Sequence, residues 1–88
     1  MQKLHTVPNP ALDADGRFTE QFTEFERVLN AIVSGSNGYL PHIQAISGNT
    51  VTVECRGDLN PASVAAFTAF GAGTITAVFR ILAEGIWS

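Results

Sequence analysis

The chain has 88 residues, 45% of them apolar and 15% charged, with a formal net charge of -3. That length allows one domain near the lower end of independently stable size, and the apolar-rich, charge-poor balance is that of a folded chain. The net negative charge and the five scattered basic residues, Lys3, Arg17, Arg27, Arg56 and Arg80, argue against the basic face on which nucleic-acid binding depends.

Cys55 is the only cysteine. It cannot form an internal disulfide, and with His5 and His42 it falls short of a four-ligand zinc site unless carboxylates join. A buried, small, apolar role in a strand is expected for it. No cofactor is expected. The N-terminal Met1–Val7 lacks the apolar core of a signal peptide, which predicts synthesis in a cytoplasm without an export address.

Residues 1–17 read as an extended arm, because Pro8 and Pro10 each disfavour helix in the residue before them. Asp13 to Gly16 reads as a tight turn, with Asp accepting from nearby backbone amides and glycine taking a dihedral other residues resist. Such an arm has almost nothing of its own to pack on and is expected to be either mobile or laid across a neighbour, with Val7 to Pro10 as the expected strap onto an adjacent subunit.

Thr19 then suits a helix N-cap and Glu20 the first turn. Phe22, Phe25, Leu29, Ile32 and Val33 recur at helical spacing, with Gly35 as a C-terminal stop. This predicts a helix over 19–34. Its apolar stripe fits the core face of a globular helix or a short inter-subunit seam, and both readings stay open.

Gly48-Asn49 stands between two strand-like runs, giving a predicted β-hairpin over 42–56 with a type II′ turn. Asn60 before Pro61 matches a cap followed by proline at the first helical position, which predicts a short helix over 61–70. Residues 74–82 are β-branched, aromatic and alternating, which predicts a strand. Its polar face still carries Val78 and Leu82, so cover on both sides is expected. The sum is a small α+β fold, with an arm over 1–17 and one domain over 18–88.

From Leu59 to Ser88 only Arg80 and Glu84 are charged, far below the usual quarter of residues. A segment so poor in charge wants cover, and a small domain has little interior to provide it. Phe22, Phe25, Leu29 and Ile32 are therefore expected at one core or interface, and Phe67, Phe70, Phe79 and Trp87 at another. Protein interfaces are depleted in charge and enriched in aromatics at their centre.

Chemical motifs fall away on inspection. Asp13-x-Asp15-Gly16 lacks the twelfth-position carboxylate of a calcium loop, since that place falls on Phe22. Arg56-Gly57-Asp58 is a three-letter match where a strand must turn. Neither histidine has a nucleophile and an orienting group placed beside it, so no enzyme is expected. Residues 62–79 carry no charge, but Gly71, Gly73 and four hydroxyl residues interrupt any membrane span.

The run Pro8-Asn-Pro-Ala-Leu-Asp-Ala-Asp-Gly-Arg-Phe-Thr-Glu-Gln-Phe-Thr-Glu-Phe-Glu-Arg-Val-Leu resembles the opening of many small virion proteins of tailed bacteriophages. Those begin with a proline-bearing arm, an Asp-x-x-Gly turn, a threonine cap and an aromatic-rich helix. The resemblance covers residues 8–33. It implies a tail-fibre, appendage or head-associated structural protein located in the virion, homo-oligomeric with trimers frequent, and bound to other virion proteins. Two other readings are a soluble adaptor or inhibitor of one protein partner, and a membrane-associated protein using residues 62–79.

Overall fold

The computed structural model describes residues 1–35, 39–56 and 73–88, and every regular element among them is a β-strand. In chain order these are β1 (Gln2–Pro8), β2 (Ala11–Leu12), β3 (Arg17–Gln21), β4 (Phe25–Ser34), β5 (Leu40–Ser47), β6 (Thr50–Arg56), β7 (Gly73–Thr74) and β8 (Val78–Trp87). They form two antiparallel sheets, β1-β8-β4 and β3-β6-β5, and a short β2-β7 pair. β4 lies alongside β5 and touches β6, so the two sheets close over one core. The expected α+β class is overturned: the described residues are all-β.

The predicted helix over 19–34 is instead β3, a turn at Thr23-Glu24, and β4. The reason lies in two register shifts along β4, between Phe25 and Arg27 and between Val28 and Asn30. Each bulge inserts a residue, so the inward position recurs every third residue rather than every second. Phe25, Val28 and Ala31 are buried while the residues between them are exposed. A bulged strand has borrowed the spacing of a helix. Thr19 is no cap; it lies exposed in β3, opposite Thr52.

The N-terminal segment is extended through Pro8 as expected, although Asn9, the residue before Pro10, takes φ 48 against that proline's preference, and the segment is laid along its own chain. Gln2–Pro8 pairs with β8 along its whole length. The tight turn that follows does form: Asp13 Oδ1 accepts from the N–H of Asp15 at 2.8 Å and of Arg17 at 3.0 Å, with Gly16 at φ 75. The hairpin is also present as β5 and β6, where Gly48 takes φ 59 as the first turn position requires.

The strand expected over 74–82 divides. β7 is only Gly73–Thr74, and β8 begins at Val78 and runs through the expected tail to Trp87. The alternation survives, with Ala77, Phe79, Ile81 and Ala83 all buried. The helix predicted over 61–70, with Phe67 and Phe70, lies outside the described residues, as does most of the 62–79 segment. Among the described residues no helix is long and apolar enough to cross a membrane.

The core comprises Phe22, Phe25, Phe79, Ile81, Val51, Val53 and Cys55, all fully buried, with Leu12, Phe18 and Val28 around them. Each large side chain so buried contributes about 2 kcal/mol of transfer free energy. β6 supplies its inward face through Val51, Val53 and Cys55, the alternation its sequence shows.

Candidate functional site

Across the edge strands of the two sheets, His5 on β1 reaches both Glu20 on β3 and Glu24 in the β3–β4 turn. Its Nδ1 lies 2.6 Å from Glu20 Oε2, and its Nε2 lies 2.8 Å from Glu24 Oε2. The ring stacks on the buried Phe22 with centroids 3.9 Å apart. A ring bonded to a carboxylate at each nitrogen must donate from both, which is the imidazolium form. Burial pulls the His5 pKa down, but the bonds to Glu24 and Glu20 outweigh it and raise it above the ordinary 6.5. The His5 bond, in turn, lowers the Glu24 pKa.

The two carboxylates sit on opposite sides of the ring, so the three groups do not converge on one ion. With both nitrogens committed, the ring is not free to act as a general base. The cluster is a clamp between β1 and β3, and its chemistry is electrostatic.

A row of polar side chains crosses the outer face of β3-β6-β5. Arg17, Glu54 and His42 are direct register partners. Arg17 Nε lies 3.0 Å from Glu54 Oε2 and His42 Nε2 lies 3.2 Å from Glu54 Oε1. Glu54 is buried, which strengthens a pairing that would be worth little in open water. Such cross-strand rows fix sheet register.

On the other sheet the outer face is apolar at its centre. Leu4, Leu82 and Ile32 stand in one register row across β1, β8 and β4. Leu4 is 53% and Ile32 62% exposed, while Leu82 is partly covered between them. The rows on either side are polar: Thr6, Arg80 and Ser34 on one, Gln2, Glu84 and Asn30 on the other. A shallow depression lies to each side of Leu82, one bordered by Arg80 and one by Glu84.

Between β1–β2 and β3 lies a groove of about 530 Å³, lined by Val7, Pro10, Leu12, Phe18, Arg17 and Thr52 among others. Both flanking strands are sheet edges. Bonds from Cys55 N–H to the Gly16 carbonyl and from Phe22 N–H to the Asn49 carbonyl fix the parity of the β3–β6 ladder. The backbone groups of Thr19 and Gln21 therefore point away from β6. By the same parity, set by Asn9 with Ala77 and Gly85 with Met1, Pro8 faces the open side of β1. Proline is tolerated there because no ladder bond is asked of it.

The residues expected at a core or an interface are thus divided between core and surface. Phe22, Phe25 and Phe79 are core. Trp87 stacks on Phe25 at 4.5 Å and remains 39% exposed. Leu29 and Ile32 point to solvent on β4, so the predicted stripe splits into an inner and an outer set. Val7 and Pro10 line the groove, and Pro8 lies at the exposed edge. The sequence reading missed Leu4, Arg80 and Glu84 as a surface and His5 as a clamp. The alternation of Val78 and Leu82 with charge along β8 was the available signal. Comparison with protein-family models, with curated proteins and with solved structures gave no match.

Proposed function

We propose that the chain is a non-enzymatic structural subunit that self-associates and anchors to neighbours in a larger assembly. The observation that supports this is the in-register row of Leu4, Leu82 and Ile32 on an outer sheet face. The core among the described residues is filled separately by Phe22, Phe25, Phe79 and Ile81, so its packing there does not call on three large apolar side chains outside. A contiguous apolar patch rimmed by polar groups marks an interaction site. A tailed-bacteriophage virion is the assembly that the resemblance over residues 8–33 suggests, through its proline-bearing segment and Asp-x-x-Gly turn, since Thr19 is no cap and Phe25–Ser34 is a strand. Sedimentation equilibrium of the full chain tests the reading: a concentration-dependent oligomer is expected, and a monomer throughout the micromolar range overturns it.

A second reading, an adaptor that binds one protein partner as a monomer, draws support from the groove between β1–β2 and β3. Among the described residues the backbone of Thr19, which lines it, and of nearby Gln21 has no ladder partner on that side and is open to an extended peptide by strand addition. The same sedimentation experiment separates the two, since the adaptor is a monomer when alone.

A further inference from the structure

We infer that the outer face of the β1-β8-β4 sheet docks onto a second copy of the chain, about a two-fold axis lying along the Leu4–Leu82–Ile32 row. This rests on the assembly reading and names its partner.

The argument starts from the order of outward side chains on β8, which is Val78, Arg80, Leu82, Glu84, Ile86. Read backwards, the run keeps its apolar positions and inverts its charges. Arg80 and Glu84 lie at equal distances from Leu82, and at the usual strand rise they are about 13 Å apart. They do not pair with each other across Leu82. Their cross-strand neighbours are neutral: Thr6 and Ser34 flank Arg80, Gln2 and Asn30 flank Glu84. Neither charge takes part in an ion pair among the described residues. Both are exposed. The sheet carries two opposite charges and gives neither a partner.

A second copy supplies both. Two sheets packed face to face can be related by an axis running along the strands or by one running across them. An axis along β8 would lay Arg80 on Arg80 and Glu84 on Glu84, which is repulsive. An axis across the strands, along the apolar row, reverses β8 against itself. Arg80 then meets Glu84 of the second copy, Leu82 meets Leu82, and Val78 meets Ile86. The flanking rows follow, with Thr6 over Gln2 and Ser34 over Asn30. Packed sheets cross at about 30°, and Leu82 lies close to the pivot, so the central contacts survive the twist. The interface is isologous, as two-fold contacts must be. The apolar row supplies the affinity, while the paired charges set the orientation.

The test is sedimentation equilibrium of the full chain and three variants, R80E, E84R and the double variant R80E/E84R, with circular dichroism confirming that each keeps its fold. The unmodified chain is expected to be a dimer. R80E and E84R should each weaken association by about tenfold or more, because each creates two like-charge contacts per dimer. The double variant should recover it. An equimolar mixture of R80E and E84R should form a mixed dimer more tightly than either alone. A trimer, or a dimer indifferent to these exchanges, overturns the two-fold pairing and leaves the assembly reading standing. A monomer at every concentration overturns both.

Discussion

Asn9 and Ala77 bond each other twice: the Asn9 N–H donates to the Ala77 carbonyl at 2.7 Å, and Asn9 Oδ1 accepts the Ala77 N–H at 3.1 Å. Asn9 is the only non-glycine residue with positive φ among the described residues, at 48. This joint carries the N-terminal chain from β1 into β2, and β8 follows at once on the other side. Asparagine suits it because it tolerates the left-handed region and can bond locally.

Replacing Asn9 with alanine removes one bond and leaves a strained backbone, an expected loss of about 2 kcal/mol. Replacing it with glycine relieves the strain and loses only the side-chain bond, about 1 kcal/mol. Urea denaturation should rank them wild type, Asn9→Gly, Asn9→Ala. A reversed order of the two variants would show that the left-handed joint does not limit stability.

The His5 clamp makes stability depend on pH in a stated direction. The His5 pKa is raised above 6.5 on folding, so its contribution is complete below 6.5 and is lost as pH rises through the raised value. The Glu24 pKa is lowered from 4.5, so its contribution is complete above 4.5 and is lost as pH falls through the lowered value. The clamp is therefore fully effective between pH 4.5 and 6.5. The melting temperature of the wild type minus that of His5→Gln should peak in this window and shrink on both sides. A difference that does not change with pH would remove the clamp from the account.

Cys55 is fully buried in β6, and burial, then the neighbouring Glu54 charge, pushes its thiol pKa up to about 11. At pH 8 the native protein should resist a thiol reagent and react at the rate at which it opens. Full reaction on adding denaturant is expected. Prompt labelling of the folded chain would contradict the burial.

Gly85 sits beneath Phe25, where an added Cβ would collide with the Arg27 carbonyl and come within 3.1 Å of the Phe25 ring. Gly85→Ala should cost about 2 kcal/mol, read as a melting temperature lower by about 10 °C. Gly48→Ala provides the contrast. Nothing stands near its Cβ, so only its φ of 59 is penalised, by about 1 kcal/mol. If Gly85→Ala proves as mild as Gly48→Ala, the close approach of β4 and β8 is not a constraint.

What the sequence determined by itself was local. Pro10 did not hold Asn9 extended, but Pro8 required extended backbone before it, Asp13 to Gly16 required a turn, and Gly48-Asn49 with its alternating flanks required a hairpin. In each case neighbours in sequence supply the whole cause, through a fixed φ, a short side-chain acceptor or a missing Cβ. The tertiary structure alone decided the rest. Phe22, Phe25, Leu29 and Ile32 carry a spacing that suits a helix, but pairing with β8 across two bulges makes Phe25, Leu29 and Ile32 part of a strand, and Phe22 lies before the turn, its N–H bonded to the Asn49 carbonyl. The β8 pairing sends Phe25 inward and leaves Leu29 and Ile32 in solvent. The outer row of Leu4, Leu82 and Ile32 could not be seen along the chain, because register between distant strands placed those residues side by side. Periodicity records which residues share a face once the backbone is known; long-range hydrogen bonding chose the backbone.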